Sequence, residues 1–546
     1  MKNQKFPYPD QVLAKVLVLL LLAGCGAPAP AATSVPRATS TVIPSATAPA
    51  TDTATAAPTE SVGLWEDVTE ATIGETKFWS NKVELADING DGLVDVLFAN
   101  GGEYEMRGVP EASQVFLNQG PDEAFKEVTE EVFGPTLGWV RVIKVRDVNN
   151  DGQPDIIKGA TFQSQSQLYL SEGLGKFTNV TATHLPQMEA SIGDLEFGDV
   201  DGDLDLDMVL ADWGAGSPMS NEGGRTMLWL NDGTGHFSDV TTAQMPDVLV
   251  RFSWELEFVD VDNDYDIDIL VSCKQCTGSY LFENNGHGTF TDVTEGRLPQ
   301  FRNNYDFEAM DVNGDQFLDL VTINDGILFR EQLFLNNQQG GFEDATKELW
   351  PASENPGCDD NMHAFLDYDS DGDADLLIGS LDCDDRLLVN DGSGNLQLFG
   401  DTSVLPLTAG TLGIAVADLN SDHKLDVVMS QGEAPGAIAE KVYFGAAIPP
   451  DTSKPIITLV ESISAPDPNQ PVQIRARVHD NKSPTMPHDW GSVVLRWTVD
   501  GQSQEVPMQW YGEYLWRGTI DEPPAGGLTY EVCATDAAGN EACSSP

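Results

Sequence analysis

The sequence predicts an all-β protein: a seven-bladed β-propeller closed by its own N-terminal strand, with a smaller β-sandwich after it. Three observations predict it. A nine-residue loop with Asp or Asn at positions 1, 3, 5 and 9 recurs seven times, its starts 51 to 61 residues apart, and a period of that length marks a repeat architecture. Apolar or alternating segments flank every copy, as strands do. An unpartnered strand-like stretch, Trp65-Glu-Asp-Val-Thr69, precedes the first copy, and the last copy lacks the matching strand.

The chain begins with Lys2 and Lys5, an apolar run from Val12 to Leu22 broken by Lys15, and Leu22-Ala23-Gly24-Cys25. The run is too short to span a bilayer as a mature helix. It resembles a bacterial lipoprotein signal, residues 1–24, which implies a lipidated Cys25 and a place outside the cytoplasm, anchored at the cell surface or outer envelope. Residues 25–61 are almost entirely Ala, Pro, Thr and Ser, and such a stretch cannot offset its own ordering entropy, so a disordered tether is expected. The formal net charge of −58, from 29 basic and 87 acidic residues, argues against nucleic acid as a partner. A single chain is the expected unit.

Six cysteines remain besides Cys25, an even number in an oxidising compartment. Cys358 and Cys383 stand nine residues before and eight after one of the loops, so antiparallel strands bring them face to face. Cys533 and Cys543 flank the turn at 536–540. Cys273 and Cys276 form a C-x-x-C, read as a local disulfide, with redox chemistry or half a zinc site as the alternative.

Residues 62–448 hold the repeat. Before each loop stands a strand such as Val83-Glu-Leu-Ala or Ile414-Ala-Val-Ala, and after it an apolar strand such as Val94-Asp-Val-Leu-Phe-Ala or Leu376-Leu-Ile-Gly. A third strand ends in a tight turn, as in Leu230-Asn-Asp-Gly-Thr-Gly-His-Phe237. A fourth follows: Phe125-Lys-Glu-Val-Thr, Phe177-Thr-Asn-Val-Thr, Phe290-Thr-Asp-Val-Thr or Phe342-Glu-Asp-Ala-Thr. Four antiparallel strands make one blade. Trp65-Glu-Asp-Val-Thr69 supplies the strand missing from the last blade, which closes the ring and removes its open edges.

The acid positions are Asp87, Asn89, Asp91 and Asp95; Asp147, Asn149, Asp151 and Asp155; Asp199, Asp201, Asp203 and Asp207; Asp260, Asp262, Asp264 and Asp268. They continue as Asp311, Asn313, Asp315 and Asp319; Asp367, Asp369, Asp371 and Asp375; and Asp418, Asn420, Asp422 and Asp426. Hard oxygen donors converging at this spacing suit Ca²⁺, up to one structural ion per blade. Their regularity argues against catalysis, which needs one special site. The pattern resembles the FG-GAP/VCBS repeat family, which includes the propeller of integrin α-subunits, over about residues 63 to 447. That resemblance implies loops joining strands one and two of each blade and holding Ca²⁺ structurally. Position 6 departs from the fullest pattern: Gly92, Gly152 and Gly372 are present, but Leu204, Tyr265, Gln316 and His423 stand elsewhere. If that position needs a positive φ, those four loops carry strain of about 1 kcal/mol or adopt a different turn.

After a linker at 449–455, residues 456–546 read as short alternating strands between Pro, Gly and Asp turns, a β-sandwich. The ending from Tyr530 to Asn540 resembles the last hairpin of bacterial immunoglobulin-like modules, usually spacers or adhesion units.

A ligand face is sought opposite the aspartate loops, where Trp79, Trp139, Arg141, Trp213, Arg251, Trp254, Arg302 and Tyr305 gather at strand starts and inserts. Two readings stand: these rings and guanidiniums grip a sugar or an acidic ligand, or they pack between adjacent blades. Glu84, Glu196, Glu257 and Glu308, with Lys144, fall three residues before their loops and ring the central channel. No Gly-x-Ser-x-Gly, Walker or HExxH pattern is present. The leading functional expectation is a calcium-stabilised surface protein that binds a protein or glycan. Its alternatives are an extracytoplasmic polysaccharide-active enzyme of lyase type on the same fold, and a purely structural surface scaffold.

Overall fold

In the computed structural model, residues 63–545 are described, apart from 105, 122, 218–219, 325, 327–328, 401–407, 409, 434–437, 464–465, 468, 500 and 525–526. The predicted leader, Cys25 and the tether lie outside the described residues. The chain from Trp65 to Gly445 forms seven four-stranded antiparallel sheets. Their first strands are Ser80–Ala86, Val140–Arg146, Ile192–Gly198, Leu256–Val259, Asn304–Met310, Asp360–Leu366 and Thr411–Ala417. Successive first strands contact one another, and the seventh contacts the first, so the arrangement is cyclic and propeller-like. The seventh sheet takes its outer strand from the chain start, where Trp65 pairs with Gly445 and Asp67 with Tyr443.

The recurring outer-strand motif has a physical reason. In six sheets the Thr of the motif accepts a third-strand N–H on its Oγ1: Thr129 from Val115, Thr181 from Leu168, Thr241 from Leu228, Thr294 from Leu281, Thr346 from Leu333, and Thr69 from Val442 across the chain closure. The Asp or Asn two residues earlier accepts the Thr N–H, as at Asp67, Asn179, Asp292 and Asp344. Side chains thus terminate the sheet where the backbone turns away into a one-turn helix, so no donor is stranded. Six first strands also carry a bulge one residue in, at Asn81, Arg141, Gly193, Tyr305, Asn361 and Leu412. A bulge re-aims the extra side chain, here Arg141 and Tyr305 among them.

Asparagines at the third-strand ends tie the units together. Asn118, Asn231, Asn284, Asn336 and Asn390 each donate Nδ2 to a loop carbonyl of the preceding unit, at Leu419, Val148, Val200, Val261 and Val312, over 2.7 to 2.9 Å. The second and seventh units have Ser171 and Gly445 at this place. All three predicted disulfides form, Cys273–Cys276, Cys358–Cys383 and Cys533–Cys543, and the C-x-x-C is the local bridge.

The C-terminal residues build two further four-stranded antiparallel sheets around one core that includes Ile474, Leu495, Trp516 and Val532. They do not stand apart from the ring. Tyr514 donates its hydroxyl to the Ala309 carbonyl, Tyr511 donates to the Tyr265 carbonyl, and the Asp199 N–H donates to the Tyr511 carbonyl, all near 2.9 Å. The contacts fall on the side where first strands run into the aspartate loops.

Removing one inter-unit asparagine should therefore cost more than its surface suggests. Asn336→Ala strands the carbonyls of Val261 and Leu318 and should lower unfolding free energy by about 1–3 kcal/mol. Ser171→Ala, which breaks no such bridge, should cost less than half of that, read as urea midpoints.

Candidate functional site

Each aspartate loop is built by one hydrogen-bond scheme. The position-1 carboxylate accepts the position-5 N–H on Oδ1 in all seven loops. Its Oδ2 accepts the position-6 N–H. The position-5 carboxylate accepts the position-7 N–H. Such a wrap requires left-handed backbone at two places. Position 4 has φ between 58° and 82°, on Gly90, Asn150, Gly202, Asn263, Gly314, Ser370 and Ser421. Position 6 has φ between 62° and 92°, on Gly92, Gly152 and Gly372 but equally on Leu204, Tyr265, Gln316 and His423. The four non-glycine loops thus adopt the same turn and bear its steric cost.

Position 9 heads the second strand and is buried in every copy, at 0 or 1 % exposure for Asp95, Asp155, Asp207, Asp268, Asp319, Asp375 and Asp426. One of its oxygens accepts the N–H that ends the third strand, from Asn118, Ser171, Asn231, Asn284, Asn336, Asn390 or Gly445. The other accepts the position-2 N–H in six loops. Burial outweighs these bonds and pushes the carboxyl up, to about 7 at Asp95 and Asp155 and about 8 at Asp207, Asp319, Asp375 and Asp426.

At Asp199–Asp203 and Asp260–Asp264, oxygens of positions 1, 3 and 5 lie within 4.8 Å of one another. Burial and then the neighbouring Asp203 and Asp199 raise Asp201 to about 6. Carboxylate oxygens crowded in this way are a donor set that fits a hard divalent cation.

The C-terminal module reaches these same loops. Arg477, 1 % exposed, donates Nη2 to the Asp260 carboxylate and carbonyl and to Asn263 Oδ1, and Nη1 to the Gln316 carbonyl. Arg517 pairs with the Asp199 carboxylate. From the linker, Ser453 donates to Asp367 Oδ2 at 2.6 Å, and the Asp451 N–H to the His423 carbonyl. The arginines fall on loops whose position 7 is also Asp, Asp205 and Asp266, where the acid excess is greatest. Sequence reading missed both, because Arg477 sits in an alternating strand like any solvated cation.

Inside the ring, Glu84, Lys144, Glu196, Glu257 and Glu308 line one cavity of about 80 Å³, as expected, together with Lys82, Asp194, Glu255, Asp306 and His363. Lys82 pairs with Asp194 and Glu255, Lys144 with Glu196, Arg146 with Glu84, and His363 Nδ1 lies 2.9 Å from Asp306. Lys482, Pro484 and Met486 of the module close its loop-side end.

The residues sought as a ligand face do not form one surface. Trp213, Trp254, Tyr305 and Arg141 are 0 to 3 % exposed, a correction to their reading as a gripping mouth. The Arg141 guanidinium stacks 3.5 Å over Trp254, and Trp254 packs edge-on against Trp213 and Tyr305. Apolar rings at the strand starts gain more from mutual burial than from standing in water. Trp79, Trp139 and Arg251 are half-buried and Arg302 is exposed; the Trp139 face is covered by Arg107 at 3.5 Å.

Four segments of the chain, residues 87–158, 147–210, 260–322 and 367–429, match the family model described as FG-GAP-like repeat. Each segment begins on position 1 of one loop and ends beyond position 9 of the next. No curated protein matches the chain. Among solved structures, an Agrocybe aegerita lectin, described for specific recognition of non-reducing terminal N-acetylglucosamine, is 19% identical. It covers 60% of this chain and 81% of its own, with a TM-score of 0.41. BBS1N in complex with ARL6DN is 10% identical over 71% of this chain and 99% of its own, with a TM-score of 0.44. The V. cholerae biofilm matrix protein Bap1 is 13% identical over 86% and 72%, with a TM-score of 0.29.

The shared turn predicts a position-specific cost. A Cβ on Gly92 meets nothing within 4 Å and φ there is 84°, so Gly92→Ala should lose about 1 kcal/mol from backbone conformation alone. Gly400→Ala, also in open space but without a left-handed φ, should leave the urea midpoint unchanged or raise it.

Proposed function

We propose that this protein is a calcium-stabilised, surface-displayed binding protein: a seven-bladed β-propeller whose aspartate loops hold structural Ca²⁺, with an immunoglobulin-like module seated on the loop side. The observation that carries the reading is the sameness of the loops. One hydrogen-bond scheme serves all seven position-1 carboxylates, which suits a metal that fastens each blade and gives no loop a special chemical task. Positions 1, 3 and 5 would supply the oxygens, and position 9 anchors the loop to the sheet. The ion supplies positive charge to a cluster that otherwise repels itself.

With the module over the loop side, recognition falls to the opposite side and to the module. The inserts after the second strands reach the start of the next unit there, through the bridges Glu111 to Gly138 and Gly224 to Val250. The lipoprotein-like leader supports display from a bacterial envelope, with a protein or glycan as partner.

Chelation should lower the melting temperature, because an ion bound by the fold alone stabilises it by mass action. The deficit should depend on pH. Carboxyls raised to about 7 or 8 in the fold bind more protons folded than unfolded above about pH 4. Their contribution to stability is complete below about pH 4 and is lost as pH rises through 7 to 8. In EDTA the protein should therefore melt higher at pH 5 than at pH 8, and added Ca²⁺ should flatten that slope. A melt indifferent to chelator would remove the calcium reading.

Binding itself is tested by incubating the full chain with polysaccharides and assaying both retention and chain length. Retention with substrate length unchanged is expected. Shortened or unsaturated products would make the protein an enzyme instead.

A further inference from the structure

The aromatic surface that sequence reading sought at the far side of the ring exists on the near side, where the module meets the second unit. A cavity of about 290 Å³ opens there, lined by Trp490, Trp510, Trp516, Met486 and Val493 of the module and by Arg146 of the ring. Trp510 and Trp516 are direct cross-strand partners, so their rings share one face of one sheet. Trp490 comes from the other sheet and meets Trp516 edge-on at 5.7 Å. The cavity therefore sits at an open end of the sandwich, walled by indoles from both layers and roofed by the propeller. Ligand sites favour such domain junctions.

Besides the indoles, the polar groups of the lining are few, Arg146 and Thr485. Arg146 uses Nη1 on Glu84 and on the Val145 carbonyl, and its guanidinium stands 5.3 Å from the Trp510 ring. The buried indole N–H groups of Trp490 and Trp516 have no acceptor in the protein, although buried indoles ordinarily find one. Those N–H groups are buried within the wall, so the Arg146 guanidinium is the one charged group that lines the cavity, and no carboxylate does. A cationic ligand, which three tryptophans would otherwise suit, would meet the guanidinium and no counter-charge. An anion has no unmatched cation to meet, since Glu84 already neutralises Arg146, and the chain's net charge of −58 repels polyanions from a distance.

What fits is a neutral ring with an apolar C–H face to lie on an indole and a hydroxyl oxygen to meet the Arg146 guanidinium. We propose that this pocket binds one pyranose unit of a neutral glycan. The proposal rests on the binding-protein reading and deepens it, placing recognition in the module–propeller junction.

The test is an array of neutral and acidic glycans probed with the full chain in Ca²⁺, followed by fluorescence titration with cellohexaose, laminarihexaose and chitohexaose. Neutral glycans should be retained. Trp510→Ala and Trp490→Ala should each weaken binding about tenfold or more, while Trp510→Phe, which keeps a ring face, should retain part of the affinity. Trp139→Ala, on the opposite side, should leave it within about twofold. Melting curves check that each variant folds, and the Phe variant serves if the Ala variant does not. Neutral-glycan binding that survives both Ala variants would place recognition elsewhere and overturn the pocket while the binding-protein reading stands. Binding confined to acidic glycans, to phosphocholine or to an aromatic peptide would overturn the assigned ligand, and so would a wild-type chain that binds no glycan on the array. Release of shortened product in the same assay would instead strike the binding-protein reading.

Discussion

A buried carboxylate at the head of every second strand is the constraint on which the ring depends. It sits where three segments must meet: the aspartate loop, the second strand and the end of the third. Asp319 shows the arrangement, with one oxygen taking the N–H of Asn336 and the other the N–H of Val312. Asn336 then spends its side chain on the preceding unit. One residue fixes the loop to its own sheet, and the residue that it fixes ties that sheet to its neighbour. Desolvating a carboxylate is costly, and it persists there because backbone donors with no other partner need it.

The two joints without the asparagine show that the constraint is a tie between units and not a particular residue. Between the first and second units, Glu84 accepts the Val145 N–H at 3.0 Å and the Arg146 guanidinium, and Asn81 donates to the carbonyls of Gly101 and Val140. Between the sixth and seventh, the buried Asp385 carboxylate accepts from the hydroxyls of Thr408 and Thr411. Each joint is polar and desolvated, so each is specific in register where a purely apolar contact would slide.

The loops, the strand phase, the closing strand and the three disulfides were legible in the sequence because each is written at short range. Acid spacing, apolar alternation and cysteine offset need no knowledge of what lies across the ring. Trp65 was readable as a seventh outer strand only because the motif that it begins ends in the Thr that caps Val442. The asparagine ties were hidden because Asn before a glycine-rich turn already has a local reason to be there. Arg477 and Arg517 were hidden for a like reason, since an arginine on an alternating strand is ordinarily solvated. The burial of Trp213, Trp254 and Tyr305 depended on which strand starts face one another, which period and spacing do not encode.

The module's arginines change what the acidic face is. Loops with Asp at positions 1, 3, 5, 7 and 9 carry two carboxylates more than loops with Asn at position 3 and an uncharged or basic residue at position 7. Three loops have that excess, starting at Asp199, Asp260 and Asp367, and the chain beyond the ring touches the first carboxylate of each: the module's Arg517 and Arg477 on two, the linker's Ser453 hydroxyl on the third. A loop carrying only the smaller charge has less to offer a neighbouring positive group. The extra aspartates thus let one cluster serve two purposes, bracing its own blade and seating the neighbouring domain. The seating places Arg146 and Trp510 against each other, so the acid excess in the loops and the indole-walled cavity are consequences of a single docking.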